Sequence, residues 1–246
     1  MAGWAAARPV LRGEVPLEAA PVALPPPAAL PANERRRTTE IIRLALAVAE
    51  EALSDQTGDF ASVFATSEGD LYIVDRICRA LLMPERPVSP TLFHNSVHNA
   101  PAGYLSIARH NPAPYSSLSA VDGSVAAGLL EAVTQVVTEG TDVLLVAYDG
   151  PPPEPLYGKR PIAGVFGAAL LLTPDGEGAT GARLGIAPAT GETEPTPCSS
   201  PALERMRTGN PAARILPLLS ALAAEAAQTI ILPGLGGSRL RVEVQP

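Results

Sequence analysis

A strand, a tight turn, a helix and a buried strand follow one another without interruption from Tyr115 to Tyr148. The spacing of apolar residues predicts the helix over 125–138, and Asp122 and Gly123 lie in the turn before it. A strand that leads sharply into a helix places a turn residue at the helix N-terminus, where the dipole and free N–H groups favour negative charge. This order of elements is typical of a nucleophile elbow, so the side chains of this turn decide which chemistry the chain can perform.

Strands and helices alternate along most of the chain. Short apolar strands are predicted at 4–11, 60–66, 115–120, 142–148, 166–173, 182–187, 229–232 and 240–244. Longer helices are predicted over 33–54, 70–83, 93–109 and 211–227. We expect 166–173 and 182–187 to pair as a hairpin, and Asn33 to cap the helix that follows it. The alternation predicts an α/β fold in which a sheet is covered by helices.

The helix predicted over 70–83 has one continuous apolar face. Its members recur at three- and four-residue spacing and are Leu71, Val74, Ile77, Cys78 and Leu81. Such a face is typical of a helix that packs on a core, so we expect these side chains to be buried. We interpret Cys78 as a small core residue rather than a reactive thiol.

Composition divides the chain into four parts. Residues 1–32 are rich in alanine and proline and predict an extended N-terminal arm. Residues 33–187 hold the alternating pattern and form the main domain, to which residues 211–246 add a helix and two closing strands. Residues 188–210 have little apolar content and predict a flexible surface loop, in which no neighbour of Cys198 would activate its thiol.

The charge balance excludes several classes of partner. The net charge is -7 and the pI is about 5.0, which leaves no basic patch for nucleic acid or anionic membranes. Two cysteines are too few for a disulfide framework or a four-ligand zinc site. The chain shows no secretory signal and no apolar run near the roughly 20 residues that span a bilayer, so we expect a cytoplasmic protein without a membrane span. The glycine cluster at 234–237 joins two strands, which indicates a hairpin turn rather than a phosphate loop, and no cofactor is expected.

All three histidines lie between residues 94 and 110. His94 and His98 are four residues apart, so on a helix they would share a face. The glutamate of an HExxH zinc motif is absent between them and no third ligand is identified, so no metal site is expected. We interpret this segment, with Asn95 and Asn99, as one whose side-chain hydrogen bonds fix the local backbone.

Two residues of the turn are candidates for catalysis. Ser124 lacks the flanking glycines of a Gly-x-Ser-x-Gly elbow, but it could act as a nucleophile with a histidine from 94–110 as its base. Asp122 could serve as a general base or, as the simpler interpretation, as the N-cap of the following helix.

Several segments together resemble a known family. They are ASVFATSEGD, SPTLFHNSVHNAPAGYLSIA, AAGLLEA and DVLLVAYD. From about Arg35 to Thr173 the chain resembles the N-terminal half of β-ketoacyl synthases, which have the thiolase-like fold. As a whole it resembles stand-alone β-ketoacyl synthase-like N-terminal domain proteins. The resemblance implies a thiolase-like half with a mixed sheet covered by helices.

The chain departs from this family at the catalytic residues. Such synthases carry a catalytic cysteine at the elbow, and that position falls on Asp122, give or take one residue. Neither Val121, Asp122 nor Gly123 is a thiol, and no histidine follows residue 173 to match the family's catalytic pair. The resemblance therefore implies a non-condensing accessory subunit in fatty-acid or polyketide-type synthesis, such as that of polyene pigments.

The resemblance also implies partners. Synthase-like proteins without the nucleophile, such as chain length factors, pair with an active ketosynthase, and an acyl carrier protein is the other expected partner. An uncovered sheet face also predicts a homo- or hetero-oligomer. Two alternatives stay open: an independent hydrolase or acyltransferase that uses Ser124 or Asp122 with His94 or His98, and a module that binds an acyl ligand.

Overall fold

A four-stranded mixed sheet organises the computed structural model, which describes residues 3–18, 23–176, 181–190 and 193–246. The strands are β1 (Ala61–Ala65), β2 (Tyr115–Leu118), β3 (Val143–Asp149) and β4 (Phe166–Leu172), in the spatial order β2-β1-β3-β4. β1 pairs in parallel with β2 and β3, and β4 pairs antiparallel with β3. The prediction of an α/β fold with a mixed sheet is confirmed.

Helices cover both faces of this sheet. They are α1 (Trp4–Leu11), α2 (Ala32–Arg35), α3 (Glu40–Ala52), α4 (Leu71–Leu81), α5 (Pro90–Asn95), α6 (Ala100–Arg109), α7 (Ser124–Glu139), α8 (Pro201–Gly209) and α9 (Leu216–Ala224). Side chains of a strand alternate between faces, so Val63 and Leu145 pack into the core with α7, while Phe64 and Leu144 pack into the core with α3 and α6. Among the described helices, none is long and apolar enough to cross a membrane.

A second, antiparallel sheet contains β5 (Arg183–Pro188), β6 (Gln228–Pro233) and β7 (Arg239–Gln245), in the order β5-β7-β6. The glycine cluster at 234–237 joins β6 to β7, as predicted for a hairpin turn. The predicted hairpin of β4 with β5 is wrong, because β5 pairs with β7 instead. A strand finds its partner through tertiary packing, which the neighbouring sequence does not specify.

Several predicted boundaries are wrong for identifiable reasons. Residues 4–11 form the alanine-rich helix α1 rather than a strand, since alanine is the strongest helix former. The third helix begins after Thr39, whose Oγ1 accepts a hydrogen bond from the Ile42 N–H at 3.3 Å, and not at Asn33. The helix predicted over 93–109 is broken into α5 and α6, with Pro101 in the first turn of α6.

Two further predictions fail towards the C-terminus. α8 lies inside the segment predicted as a flexible loop, of which residues 191–192 fall outside the described residues. The helix predicted over 211–227 is the 3₁₀ turn Ala212–Ile215 followed by α9, which ends where Glu225 adopts the left-handed conformation at φ 52°.

The predicted burial of the apolar face of α4 is also wrong. Ile73 is the one buried residue of α4, whereas Val74 and Leu81 are 43% and 51% exposed and Cys78 is exposed. α4 lies on the surface beside α5, so the face with helical apolar spacing is not covered by the described part of the chain.

Candidate functional site

The turn between β2 and α7 has the strained backbone of an elbow. It is a 3₁₀ turn, Val121–Gly123, and Val121 has a φ of 49° with its side chain 49% exposed. A β-branched residue rarely adopts this left-handed conformation, because its side chain crowds the following carbonyl. The strained position of the elbow is therefore Val121, whose side chain has no nucleophilic atom.

The hairpin turn between β6 and β7 closes against this elbow. A Cβ added to Gly123 would lie 2.5 Å from the Leu235 nitrogen and 2.6 Å from the Gly234 carbonyl carbon. Both contacts are with backbone atoms, which have little freedom to move. Glycine at 123 is thus required by the close approach of the two turns.

Asp122 is held by two arginines. Its Oδ1 lies 2.5 Å from Arg160 Nη2 and its Oδ2 lies 3.0 Å from Arg214 Nη2, while Arg214 Nη1 donates to the Asp122 carbonyl at 2.9 Å. Arg160 Nε also binds Glu68 Oε1 at 2.7 Å. Burial alone would raise the pKa of Asp122, but hydrogen bonds and charge from the two guanidinium groups outweigh it and hold that pKa below its usual value. The carboxylate of Asp122 therefore stays ionised, and each of its two oxygens is paired with an arginine.

The N-cap role predicted for Asp122 is wrong, because Gly123 occupies the N-cap of α7 and no side chain caps it. The acidic side chain instead joins the elbow to two distant segments of the chain through Arg160 and Arg214.

Ser124 faces backbone groups rather than a base. It is 2% exposed, and its Oγ accepts a hydrogen bond from the Ala120 N–H at 2.9 Å. The hydroxyl proton lies within reach of the Val121 carbonyl at 2.8 Å and the Thr66 carbonyl at 3.0 Å. No histidine is among its hydrogen-bond partners. Ser124 fastens the elbow to the end of β1, and its oxygen is not presented to a substrate.

A buried carboxylate lies at the end of β3, next to the end of β1. Asp149 is 2% exposed, and its Oδ1 accepts hydrogen bonds from Thr66 Oγ1 at 2.8 Å and from the N–H and Oγ of Ser67, both at 2.9 Å. Its Oδ2 has no hydrogen-bond partner among the described residues. Burial raises the pKa of Asp149 to about 6, and the hydrogen bonds from Ser67 and Thr66 oppose that rise only in part.

The two histidines do not share a helix. His94 belongs to α5, where its ring packs edge-on against Tyr104 with 6.3 Å between centroids, and His98 lies in the connection to α6. Asn95 donates to the Arg37 carbonyl at 2.8 Å and accepts from the Tyr104 hydroxyl at 2.9 Å, so its side chain joins α5 to a distant segment and to α6 rather than fixing the local backbone as predicted. Among the described residues, no group of three histidine, cysteine or acidic side chains could hold a metal ion.

His98 lines a small cavity of about 70 Å³, together with Asp70 and Tyr148. Burial lowers the pKa of His98 and raises those of Asp70 and Tyr148, because the surroundings disfavour the charged form of each side chain. Asp122 and Ser124 do not line this cavity, and no hydrogen bond joins either histidine to the elbow. The structure therefore brings Asp122 and Ser124 together but places His94 and His98 elsewhere.

Sequence reasoning missed four charged residues of this region, namely Glu68, Asp149, Arg160 and Arg214. Only Asp149 had a usable signal, since an acidic residue at the carboxyl end of a buried parallel strand lies where α/β proteins assemble their sites. Arg160 and Arg214 come from loops and turns far along the chain, and no local spacing indicates that they meet Asp122.

The chain matches the β-ketoacyl synthase N-terminal domain family over residues 6–217 and belongs to this family. A comparison with curated proteins gave no match.

Two solved structures are similar to the chain. One is described as a ketosynthase (ApeO) in complex with its chain length factor (ApeC) from Xenorhabdus doucetiae, with 24% identity, a TM-score of 0.64 and coverage of 87% of this chain and 81% of that chain. The other is a β-ketoacyl synthase from Burkholderia phymatum STM815, with 15% identity and a TM-score of 0.54, where the match covers 76% of this chain and 56% of that one. At these identities the likeness shows the fold, and the predicted thiolase-like fold is confirmed.

Proposed function

We propose that this protein is a non-condensing ketosynthase-like subunit that pairs with an active ketosynthase in fatty-acid or polyketide-type synthesis. The observation that carries the proposal is the elbow, where Val121 holds the strained position, Asp122 is ion-paired to Arg160 and Arg214, and Ser124 is bound to backbone.

Condensation by a cysteine synthase begins when the thiolate attacks a thioester carbonyl, forms a new thioester and releases the carrier thiol. The alkyl side chain of Val121 has no electron pair to donate. The Asp122 carboxylate is a poor substitute, because its acyl product would be an anhydride that water cleaves readily, and both of its oxygens already bind guanidinium groups. The elbow thus supports a structural role in a larger assembly.

The open edge of the central sheet favours such an assembly. β2 has one neighbour among the described strands, β1, so its outer N–H and C=O groups are free to pair with another chain. Beside it, α7 exposes Leu130 by 48% and Val137 by 76%. One similar structure contains a ketosynthase bound to its chain length factor, and we infer the same kind of pairing here. An acyl carrier protein as second partner and a polyene-type pigment as product follow from the family resemblance.

The first test asks whether the chain takes up an acyl group. The purified protein is incubated with an acyl-loaded carrier protein and its intact mass is measured, and we expect no adduct. Adduct formation or fluorophosphonate labelling that is lost in Ser124→Ala would instead support an independent hydrolase or acyltransferase, with His94 or His98 then tested as its base.

The second test asks whether the chain pairs with a synthase. It is co-expressed with a ketosynthase of the same organism that carries an elbow cysteine, and we expect a complex with near-equal amounts of the two chains. The chain lengths of the synthase's products are then compared with and without this protein. A different result would favour an acyl-binding module. In that case the protein forms a homo-oligomer that does not bind the synthase, and acyl chains raise its melting temperature.

A further inference from the structure

Large apolar side chains on α4, on α5 and on the residues that follow each helix are left exposed by the described part of the chain. Its large side chains are exposed by 43% to 86%, and they are Tyr72, Val74, Leu81, Leu82, Met83, Phe93 and Val97. This set is called the α4–α5 patch below. A concentration of exposed apolar side chains of this kind marks an interaction site.

The sequence of α4 has the pattern of a buried helix. Val74, Cys78 and Leu81 follow one another at spacings of four and three residues, which places them on one helix face. All three are exposed. A helix face that has the apolar spacing of a buried face but is exposed to solvent indicates that something outside this part of the chain covers it.

The size of the patch favours a stable subunit interface. The exposed fractions of its seven side chains are together equivalent to about four whole side chains, or roughly 700 Å². One partner of a stable protein interface contributes about 800 Å². Brief contacts, such as the docking of a carrier protein during a catalytic cycle, need less.

The rim of the patch argues against a second copy of this chain. Arg76, Arg79 and Arg86 are exposed around it, whereas Glu85 is the one exposed carboxylate in the segment 70–97. Asp75 is 11% exposed and pairs with Arg79 at 2.7 Å, so this pair adds no net charge and the positive charge of the rim comes from Arg76 and Arg86. In a two-fold dimer through this patch the basic rims would face each other, so a partner with acidic side chains around an apolar centre fits better.

We propose that the α4–α5 patch binds the ketosynthase subunit, through an apolar surface of that subunit that is rimmed by acidic side chains. This inference rests on the proposed function and adds the α4–α5 patch to the open edge of β2 as a surface for the same pairing.

The test compares charged variants inside and outside the patch. Leu82→Glu and Phe93→Glu each place a carboxylate at a side chain that is 86% or 69% exposed, and Val15→Glu does the same at a 45% exposed side chain outside the patch. Circular dichroism checks that all three are folded. Binding to the purified ketosynthase is measured by calorimetry, and we expect Kd to rise about 30-fold or more for the two patch variants and to stay unchanged for Val15→Glu.

The outcomes separate the two proposals. If the unaltered protein binds the ketosynthase and Leu82→Glu and Phe93→Glu bind equally well, the patch assignment is wrong while the proposed function holds. If the unaltered protein does not bind, the proposed function fails and the ketosynthase is not the occupant. If the unaltered protein is a dimer by ultracentrifugation and Leu82→Glu makes it a monomer, a second copy covers the patch and the inference is overturned.

Discussion

The buried carboxylate of Asp149 should make the stability of this protein depend on pH in a specific direction. Its pKa is raised by burial from 3.8 to about 6 in the folded protein. A raised pKa means that the fold prefers the protonated form. The stabilising effect of that proton is therefore complete below pH 3.8 and is lost as the pH rises through 6.

The magnitude follows from the size of the shift. A difference of about two pKa units at about 1.4 kcal/mol each corresponds to about 3 kcal/mol of unfolding free energy. Asp149→Asn keeps an Oδ1 acceptor for Thr66 and Ser67 but does not titrate. Whatever fixed cost the amide adds, the unfolding free energy of the variant relative to the unaltered protein should rise by about 2.4 kcal/mol between pH 4 and pH 7.5, because a small part of the full effect is already lost at pH 4.

The measurement is urea unfolding, followed by circular dichroism at several pH values for both proteins. Asp175→Asn is the matched control, because this carboxylate is 64% exposed in a surface ion pair with Arg183. Its difference from the unaltered protein should not vary with pH by more than a few tenths of a kcal/mol. A flat difference for Asp149→Asn as well would mean that the carboxylate is solvated, and the account of its burial would be wrong.

Three further variants examine the elbow. Val121→Gly should raise the unfolding free energy by about 1 kcal/mol in thermal denaturation, because glycine adopts a positive φ without strain. A loss of stability would show that the backbone at Val121 is not strained. Val121→Cys should react with iodoacetamide much faster than Cys198, because position 121 is 49% exposed just before the first turn of α7, whereas burial raises the pKa of Cys198 to about 11; equal rates would contradict this geometry. Gly123→Ala should lower the unfolding free energy by about 3 kcal/mol through its clash with the Gly234–Leu235 backbone, while Gly58→Ala, whose Cβ would meet only the Gln56 amide at 3.9 Å, should have little effect.

The central elements could be predicted from sequence because their signals are local. The apolar strand β3, the helix α7 and the turn between them each carry their own pattern within a few residues, and the structure places them as expected. Pairing between distant segments carries no such pattern. The partner of β5 was therefore mispredicted, and the break between α5 and α6 was missed even though Pro101 indicated it.

The site was harder to predict than the fold. The position of the elbow follows from the order of elements, but the contacts of Asp122 depend on Arg160 and Arg214, which are 38 and 92 residues further along the chain. The face of α4 was mispredicted for a different reason. Apolar spacing shows that a surface is made to be covered, but not whether the same chain covers it.

The geometry of the elbow is maintained by the packing of the fold and does not depend on a catalytic side chain at the turn. Gly128 lets α7 approach the sheet, since a Cβ there would lie 2.7 Å from the Ala65 Cβ, and Ser124 holds the start of α7 to the end of β1. With the helix fixed in this way, the preceding residue must turn sharply whatever its side chain is, which explains why Val121 keeps a positive φ without a nucleophile to present. The turn can therefore carry different side chains while the rest of the fold is kept. On the surface of this fold, the α4–α5 patch is the part where the sequence pattern and the observed exposure disagree most.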